Sequence, residues 1–229
     1  MKTIIITGAN GNLGNAVTRK FLDSGYQVVA TVINDTEKSA MGHHKLLDTR
    51  MVNLTNEGES NLFVQSVIRQ YGQVHGALML VGGYAGGTVE HTPMADISKL
   101  ITLNFETAYN VARPLFAHMH EKGFGRLVFI GARTALNAAE GKANIAYALS
   151  KSLLFNLAEY LNAAAKKTNV TATVVAPSTL DTPLNRKSIP DADPANWVKP
   201  EQLADILEFI CNDTSSVLRE SVLKVYNNA

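Results

Sequence analysis

The sequence predicts an α/β fold, a doubly wound parallel sheet of about seven strands with helices on both faces. Three observations carry this. Short β-branched runs alternate with longer helical patterns along the whole chain. Glycine- or proline-marked turns follow the strands at Gly8 to Gly14, Gly82 to Gly87, Gly131 to Thr134 and Pro177 to Thr182. No linker or internal repeat interrupts the pattern, so residues 1–229 read as one domain.

Lys2 to Thr7 opens the chain as a buried strand. Gly8-Ala9-Asn10-Gly11-Asn12-Leu13-Gly14 follows, then a helical pattern through Phe21 and Leu22 to a stop at Gly25. Strand, glycine turn and helix form the setting a phosphate-binding loop requires. Glycines let the backbone approach a pyrophosphate, and the helix start offers free N–H groups and a positive dipole end. The second strand, Gln27 to Ile33, runs out as Asn34-Asp35. An acid near this point suits the ribose of NAD and an arginine the phosphate of NADP. Asp35 is a candidate for the first role and Arg19 or Lys38 for the second, so the preference between NAD and NADP stays open. His43 and His44 fall in a polar connection without further metal-type partners, and no metal site is expected.

Arg50 to Leu54 is the expected third strand, ending on Asn53 and Leu54. Glu57 to Tyr71 is an amphipathic helix, with Leu62, Phe63, Val67 and Ile68 on one side. Val74 to Val81 is the fourth strand, and Gly82-Gly83-Tyr84-Ala85-Gly86-Gly87 after it brings backbone close to a neighbour or a ligand. Ile97 to Glu121 reads as one long helix containing Asn104, with a kink expected at Pro114. Arg126 to Ile130, Val170 to Val175 and Glu220 to Tyr226 complete the strands. Between them lie a helix from Ile145 to Lys167, a proline-rich segment from Pro177 to Pro200 and a helix from Glu201 to Cys211.

In the Ile145 helix, Tyr147 and Lys151 stand four apart and share one face. A free phenol titrates near 10, too high for easy proton traffic at neutral pH. A nearby ammonium favours the phenolate, so the pair predicts a usable general acid or base. Ligands of such sheets bind beyond the carboxyl ends of the strands, and the four turns and Tyr147 converge there.

Bulk properties narrow the function classes. Hydrophobic residues make up 46% and charged residues 18%, as in ordinary globular proteins. A net charge of +1, with no basic block, argues against nucleic acid. No apolar run is long enough for a membrane span, and the first residues lack the pattern of a signal peptide. A single cysteine, Cys211, lies in apolar company and fits a reducing cytoplasm as an inert buried thiol.

Taken together, the motifs resemble the short-chain dehydrogenase/reductase family over nearly the whole length, which implies a Rossmann fold and an NAD or NADP cofactor. The resemblance rests on Thr7-Gly8 and its glycine turn, Asn104, Tyr147 with Lys151, and Pro177 through Thr182. It implies that Tyr147 protonates the substrate while a nicotinamide delivers hydride. Lys151 then binds the nicotinamide ribose and tunes the tyrosine, and Asn104 supports a proton relay. It also implies cofactor contacts from Gly8, Asn10, Gly11, Asn12, Leu13, Gly14, Asn53, Leu54, Gly82, Gly83, Pro177, Thr179, Leu180 and Thr182, and a homodimer or homotetramer. Leu153, Leu154, Leu157 and Leu161 supply apolar surface beyond what one sheet face requires.

Three departures stand out. Asn12 occupies a position where many relatives carry glycine, and the loop from Gly82 to Gly87 replaces the usual Asn-Ala-Gly. Ala132 stands where the family's catalytic serine is expected, with Thr134 two residues out of register. These features, and the stretch from Thr179 to Pro190, resemble the quinonoid dihydropteridine reductase branch. That resemblance implies a small conjugated acceptor, with Tyr84, Ala132 and Asn185 facing it. The alternatives are an ordinary carbonyl reductase, with Thr134 or water in place of the serine, and a non-catalytic dinucleotide sensor.

Overall fold

A computed structural model describes residues 1–228. Seven strands form one parallel sheet: β1 (Thr3–Thr7), β2 (Gln27–Val32), β3 (Leu47–Met51), β4 (Gly76–Met79), β5 (Phe124–Ile130), β6 (Asn169–Pro177) and β7 (Val222–Val225). Their order across the sheet is β3-β2-β1-β4-β5-β6-β7. The direction of winding reverses between β1 and β4, which opens a crevice at their carboxyl ends.

Alternation along the strands feeds two cores. Ile5, Ala77, Leu127 and Val174 point to a layer made by α3 (Glu57–Tyr71), α5 (Thr107–Lys122) and α7 (Ile145–Ala164). Ile4, Ile6, Val28 and Val128 point the other way, onto α1 (Asn12–Asp23) and α9 (Pro200–Cys211). With both faces covered, the central strands are continuously apolar, as the β-branched runs require. Cys211 belongs to the second core, and burial pushes its thiol up to about 12. Among the described residues no helix is long and apolar enough to cross a membrane.

Several boundaries differ from expectation. The third strand lies at Leu47–Met51 instead of Arg50 to Leu54. It is a half-buried edge strand, and its polar residues are held sideways: Arg50 donates to Asp48, Ser66 and Gln70, and Tyr71 donates to Asp48. The fourth strand stops at Met79, because the Leu80 and Val81 N–H groups both point at the Thr7 hydroxyl, 3.0 and 3.4 Å away. Three short helices lie where the sequence reading assigned none: α2 (Asp35–Ala40), capped by Asn34, α6 (Ala138–Gly141), capped by Asn137, and α8 (Pro183–Ser188), capped by Thr182. The expected single helix from Ile97 divides into α4 (Met94–Ile101), a π-turn over Thr102–Glu106, and α5. The π-turn precedes Pro114, which lies inside α5. On α7, Leu154 and Leu157 are buried in the chain's own core and Leu161 packs against it, so the expected surplus apolar stripe is largely consumed.

Candidate active site

The turn after β1 makes the first half of the site. Gly8 adopts φ +62°, in the left-handed region glycine favours, and a side chain there would strike Val81. A Cβ on Gly14 would lie 2.2 Å from the Gly8 carbonyl oxygen, so the start of α1 sits directly on the turn. No side chain caps α1 at Gly11, which leaves the first-turn N–H groups for an anion. In front of this turn lies a cleft of about 350 Å³. The described lining residues include Gly8, Asn10, Gly11, Asn53, Leu54 and Gly82. Asn12 and Leu13 are not on that lining, and Leu13 packs against the second core. The absence of Cβ atoms at the turn and the uncapped helix start fit a dinucleotide pyrophosphate, held by backbone N–H groups.

The lining also contains residues that the sequence did not single out, notably Thr31, Val32, Ile33, Glu37 and Leu103. None of the three candidates for recognising the adenosine end, Arg19, Asp35 and Lys38, lines it. Asn53 is used locally: its Oδ1 accepts from the Thr55 N–H and hydroxyl. Asn110 on α5 donates to the Leu54 carbonyl at 3.0 Å and steadies that wall.

The second half gathers around Asn104, Tyr147 and Lys151. The π-turn sends Asn104 inward, where it is 1% exposed. Its Oδ1 accepts the Gly83 N–H at 2.7 Å, and its Nδ2 donates to the Gly83 carbonyl and the Ser150 hydroxyl at 3.1 and 2.9 Å. Ser150 donates to the Tyr147 carbonyl at 2.8 Å. This clamp ties the loop after β4, the π-turn and the first turn of α7 together. Sequence reasoning missed Ser150, although its place between Tyr147 and Lys151 was a signal.

Lys151 is 4% exposed, and its Nζ donates to the Ile130 carbonyl at 2.7 Å. Burial pulls the ammonium down to about 8. Tyr147 is pushed up to about 12, first by burial and then by the Tyr84 phenol. The expectation that the lysine lowers the phenol is therefore corrected. Nζ lies 6.0 Å from the Tyr147 ring centroid and is bound to a carbonyl. Tyr84 meets Tyr147 edge-on, with centroids 5.1 Å apart, and is 68% exposed. Its loop is pinned at the far end, where Gly87 exchanges hydrogen bonds with Ala143 and Ile145.

Ala132 is buried and extended just beyond β5, and Thr134 lies on the following single-turn helix with its Oγ1 buried and unpartnered. Past β6, Leu180 pairs with Val198 and the Thr182 hydroxyl caps α8. Thr179 accepts the Val198 N–H at 3.0 Å, and Pro177 lies inside β6. Asn185 donates to the Leu180 carbonyl at 2.8 Å, within its own segment. Asp181 and Arg186 close that segment with two hydrogen bonds. Among the described residues, no group of three His, Cys, Asp or Glu is placed to hold a metal ion.

A family profile described as short chain dehydrogenase matches residues 2–193. The chain belongs to the short-chain dehydrogenase family. It is an NAD(P)-dependent oxidoreductase of that family, and the sensor alternative gives way to this reading. Among curated relatives, the acetoacetyl-CoA reductase of Acinetobacter sp. (strain RA3849) is 27% identical over 190 residues, covering 80% of this chain and 76% of the relative. The 3-oxoacyl-[acyl-carrier-protein] reductase FabG of Thermotoga maritima is 23% identical, covering 98% of this chain and 96% of the relative. ElxO with NADP bound superposes with a TM-score of 0.91 at 19% identity, covering 98% of this chain and 96% of that one. A blue fluorescent protein from a metagenomic library, in complex with NADPH, gives 0.86 at 21% identity, covering 99% and 97%. These structures share the fold of this short-chain dehydrogenase.

Proposed function

We propose that this short-chain dehydrogenase reduces a small, planar, conjugated acceptor, with a quinonoid dihydropterin as the leading member of that class. The observation that carries the reading is the pairing of Ala132 with Tyr84. A ketone develops alkoxide charge as it is reduced, and a positioned hydroxyl donor stabilises such charge by several kcal/mol. Ala132 offers only a methyl group at the position expected to supply that donor. Tyr84 instead presents an exposed aromatic ring beside Tyr147, suited to a flat π-system.

In this reading the bound, reduced nicotinamide supplies the hydride. Tyr147 donates the proton, and a phenol held near 12 keeps that proton at neutral pH until an acceptor takes it. Lys151 would hold the nicotinamide ribose, and Asn104 with Ser150 holds Tyr147 and the loop after β4 in register. Solvent returns the proton. The whole chain, 1–229, acts as one dinucleotide-binding unit in the cytoplasm, as a homodimer or homotetramer. Exposed Leu149 and Tyr160 on α7 support such pairing.

A second reading is reduction of a 3-oxoacyl thioester. It draws on the names of the curated relatives and on the unpartnered Thr134 hydroxyl. The two are separated by steady-state turnover of a quinonoid dihydropterin, a quinone, acetoacetyl-CoA and a simple ketone. The first reading expects turnover of the conjugated acceptors well above that of the ketones, and Ala132→Ser to raise ketone turnover selectively. Fast reduction of acetoacetyl-CoA with none of the dihydropterin would replace it with the second.

A further inference from the structure

Glu37 is the one charged residue on the described lining of the dinucleotide cleft. It lies on the turn-and-a-half helix α2 just beyond β2, at the end of the crevice where the adenosine half of a dinucleotide falls. Its position is fixed twice. The Glu37 N–H donates to the Asn34 side chain at 2.8 Å, and the carboxylate accepts the Ile33 N–H at 3.1 Å. The side chain therefore folds back over the strand end and leaves acceptor capacity on the same carboxylate. No cation shares this wall: Arg19 and Lys38 are exposed and off the lining, and Arg50 is engaged by Asp48, Ser66 and Gln70.

We propose that Glu37 makes this cleft selective for NADH and rejects NADPH. The proposal rests on reading the cleft as the cofactor site. A carboxylate can accept from the two hydroxyls of an unmodified ribose, whereas a ribose phosphate would bring up to two negative charges against it without a cation to offset them. Asp35 precedes it in sequence but is exposed at the first position of α2 and does not line the cleft. The selecting acid is thus displaced from the strand end onto the following helix and folded back.

The test is a fluorescence titration of the intact protein with NADH and with NADPH, repeated on Glu37→Gln and Lys38→Ala. Even at the dielectric of bulk water, two unit charges about 4 Å from a third are worth roughly 30-fold, so NADH should bind at least that much more tightly. Glu37→Gln keeps an acceptor for the Ile33 N–H, so the turn survives, as circular dichroism will verify. The variant should close most of the gap, chiefly by tightening NADPH. Added salt should narrow the gap in the unmodified protein by screening. Lys38→Ala should leave the ratio unchanged. Equal or tighter NADPH binding, an unchanged ratio in Glu37→Gln, or a ratio governed by Lys38 overturns the preference alone. Failure of both nucleotides to bind overturns the cofactor site itself and the preference with it.

Discussion

Replacing Lys151 with methionine tests what the candidate site demands of the fold. The ammonium is buried, donates to one carbonyl, and has no carboxylate partner among the described residues. Burial lowers it from 10.5 to about 8. At about 1.4 kcal/mol per pH unit, keeping it charged at pH 7 opposes folding by about 3 kcal/mol. Methionine fills similar space without charge, but it leaves the Ile130 carbonyl without that donor, a loss of about 1–2 kcal/mol. The variant should therefore be more stable by about 1–2 kcal/mol, or roughly 2–8 °C in a chain of this size. Its turnover should collapse, because the ammonium proposed to hold the nicotinamide ribose is gone.

The pH dependence gives the sharper reading. Since the native lysine holds its proton more weakly than the unfolded chain does, the unfolded state binds more protons between about pH 8 and 10.5. Across that window the unmodified protein gains stability as pH rises, and Lys151→Met does not share the gain. Its advantage should be full at pH 7, shrink from pH 8 upward and reverse near pH 10. Thermal unfolding of both proteins at four pH values measures this. A variant less stable at pH 7, or a difference that stays constant with pH, refutes the reasoning.

Tyr147→Phe should cut turnover by about 10²- to 10⁴-fold, least with a reactive quinonoid acceptor, while NADH affinity stays within about twofold. Full activity with every acceptor would remove Tyr147 from the proposed chemistry. Gly14→Ala drives a methyl against the backbone oxygens of Gly8 and Ala9, at 2.2 and 2.7 Å, and should lower the unfolding midpoint sharply. Gly11→Ala meets only the Gly8 oxygen at 3.4 Å, so its fold should survive while dinucleotide affinity falls; titration beside thermal unfolding separates the two. His75 and His118 each accept a backbone N–H, from Thr3 and Val74, and burial, then nearby lysines, lowers both. The folded chain thus prefers both neutral, and stability should fall below about pH 6.5 by up to about 1.4 kcal/mol per pH unit for each histidine. Unfolding midpoints between pH 7 and 5 should fall less steeply in His118→Asn than in the unmodified protein.

The sheet was legible because its central strands are buried on both faces and read as β-branched runs. Leu47–Met51 was not, because an edge strand holding Asp48 and Arg50 carries no such run. Helix α2 depends on one short signal, Asn34 followed three residues later by Glu37, which is a cap pattern too brief to compete with periodicity. Missing that helix also hid Glu37, since only its turn returns the carboxylate to the cleft. Tyr147, Lys151 and Asn104 were recognisable as a set from the family motif. The π-turn that aims Asn104 was not, because one added residue in a helical turn leaves no periodic trace. The direction of the Tyr147 shift was also misjudged. Sequence spacing places charge beside the phenol, but burial decides the sign, and burial is a property of the assembled fold.

The glycine pair after β4 shows why this loop departs from the common Asn-Ala-Gly. Gly82 lines the candidate dinucleotide cleft, and a Cβ on it would stand 2.7 Å from Asn104 Oδ1 and 3.1 Å from Lys151 Nζ. A Cβ on Gly83 would meet Leu103 at 2.6 Å. Bare backbone at both positions lets the Asn104 amide take the N–H and the carbonyl of Gly83 at once. The same backbone forms a wall of the cleft, so the cofactor half and the proton half of the candidate site share one strand of chain. A side chain here would force Asn104 and Lys151 apart and narrow the cleft together. Two glycines keep both halves in contact, and the aromatic ring at Tyr84 is then carried on a loop fixed at Gly83 and at Gly87.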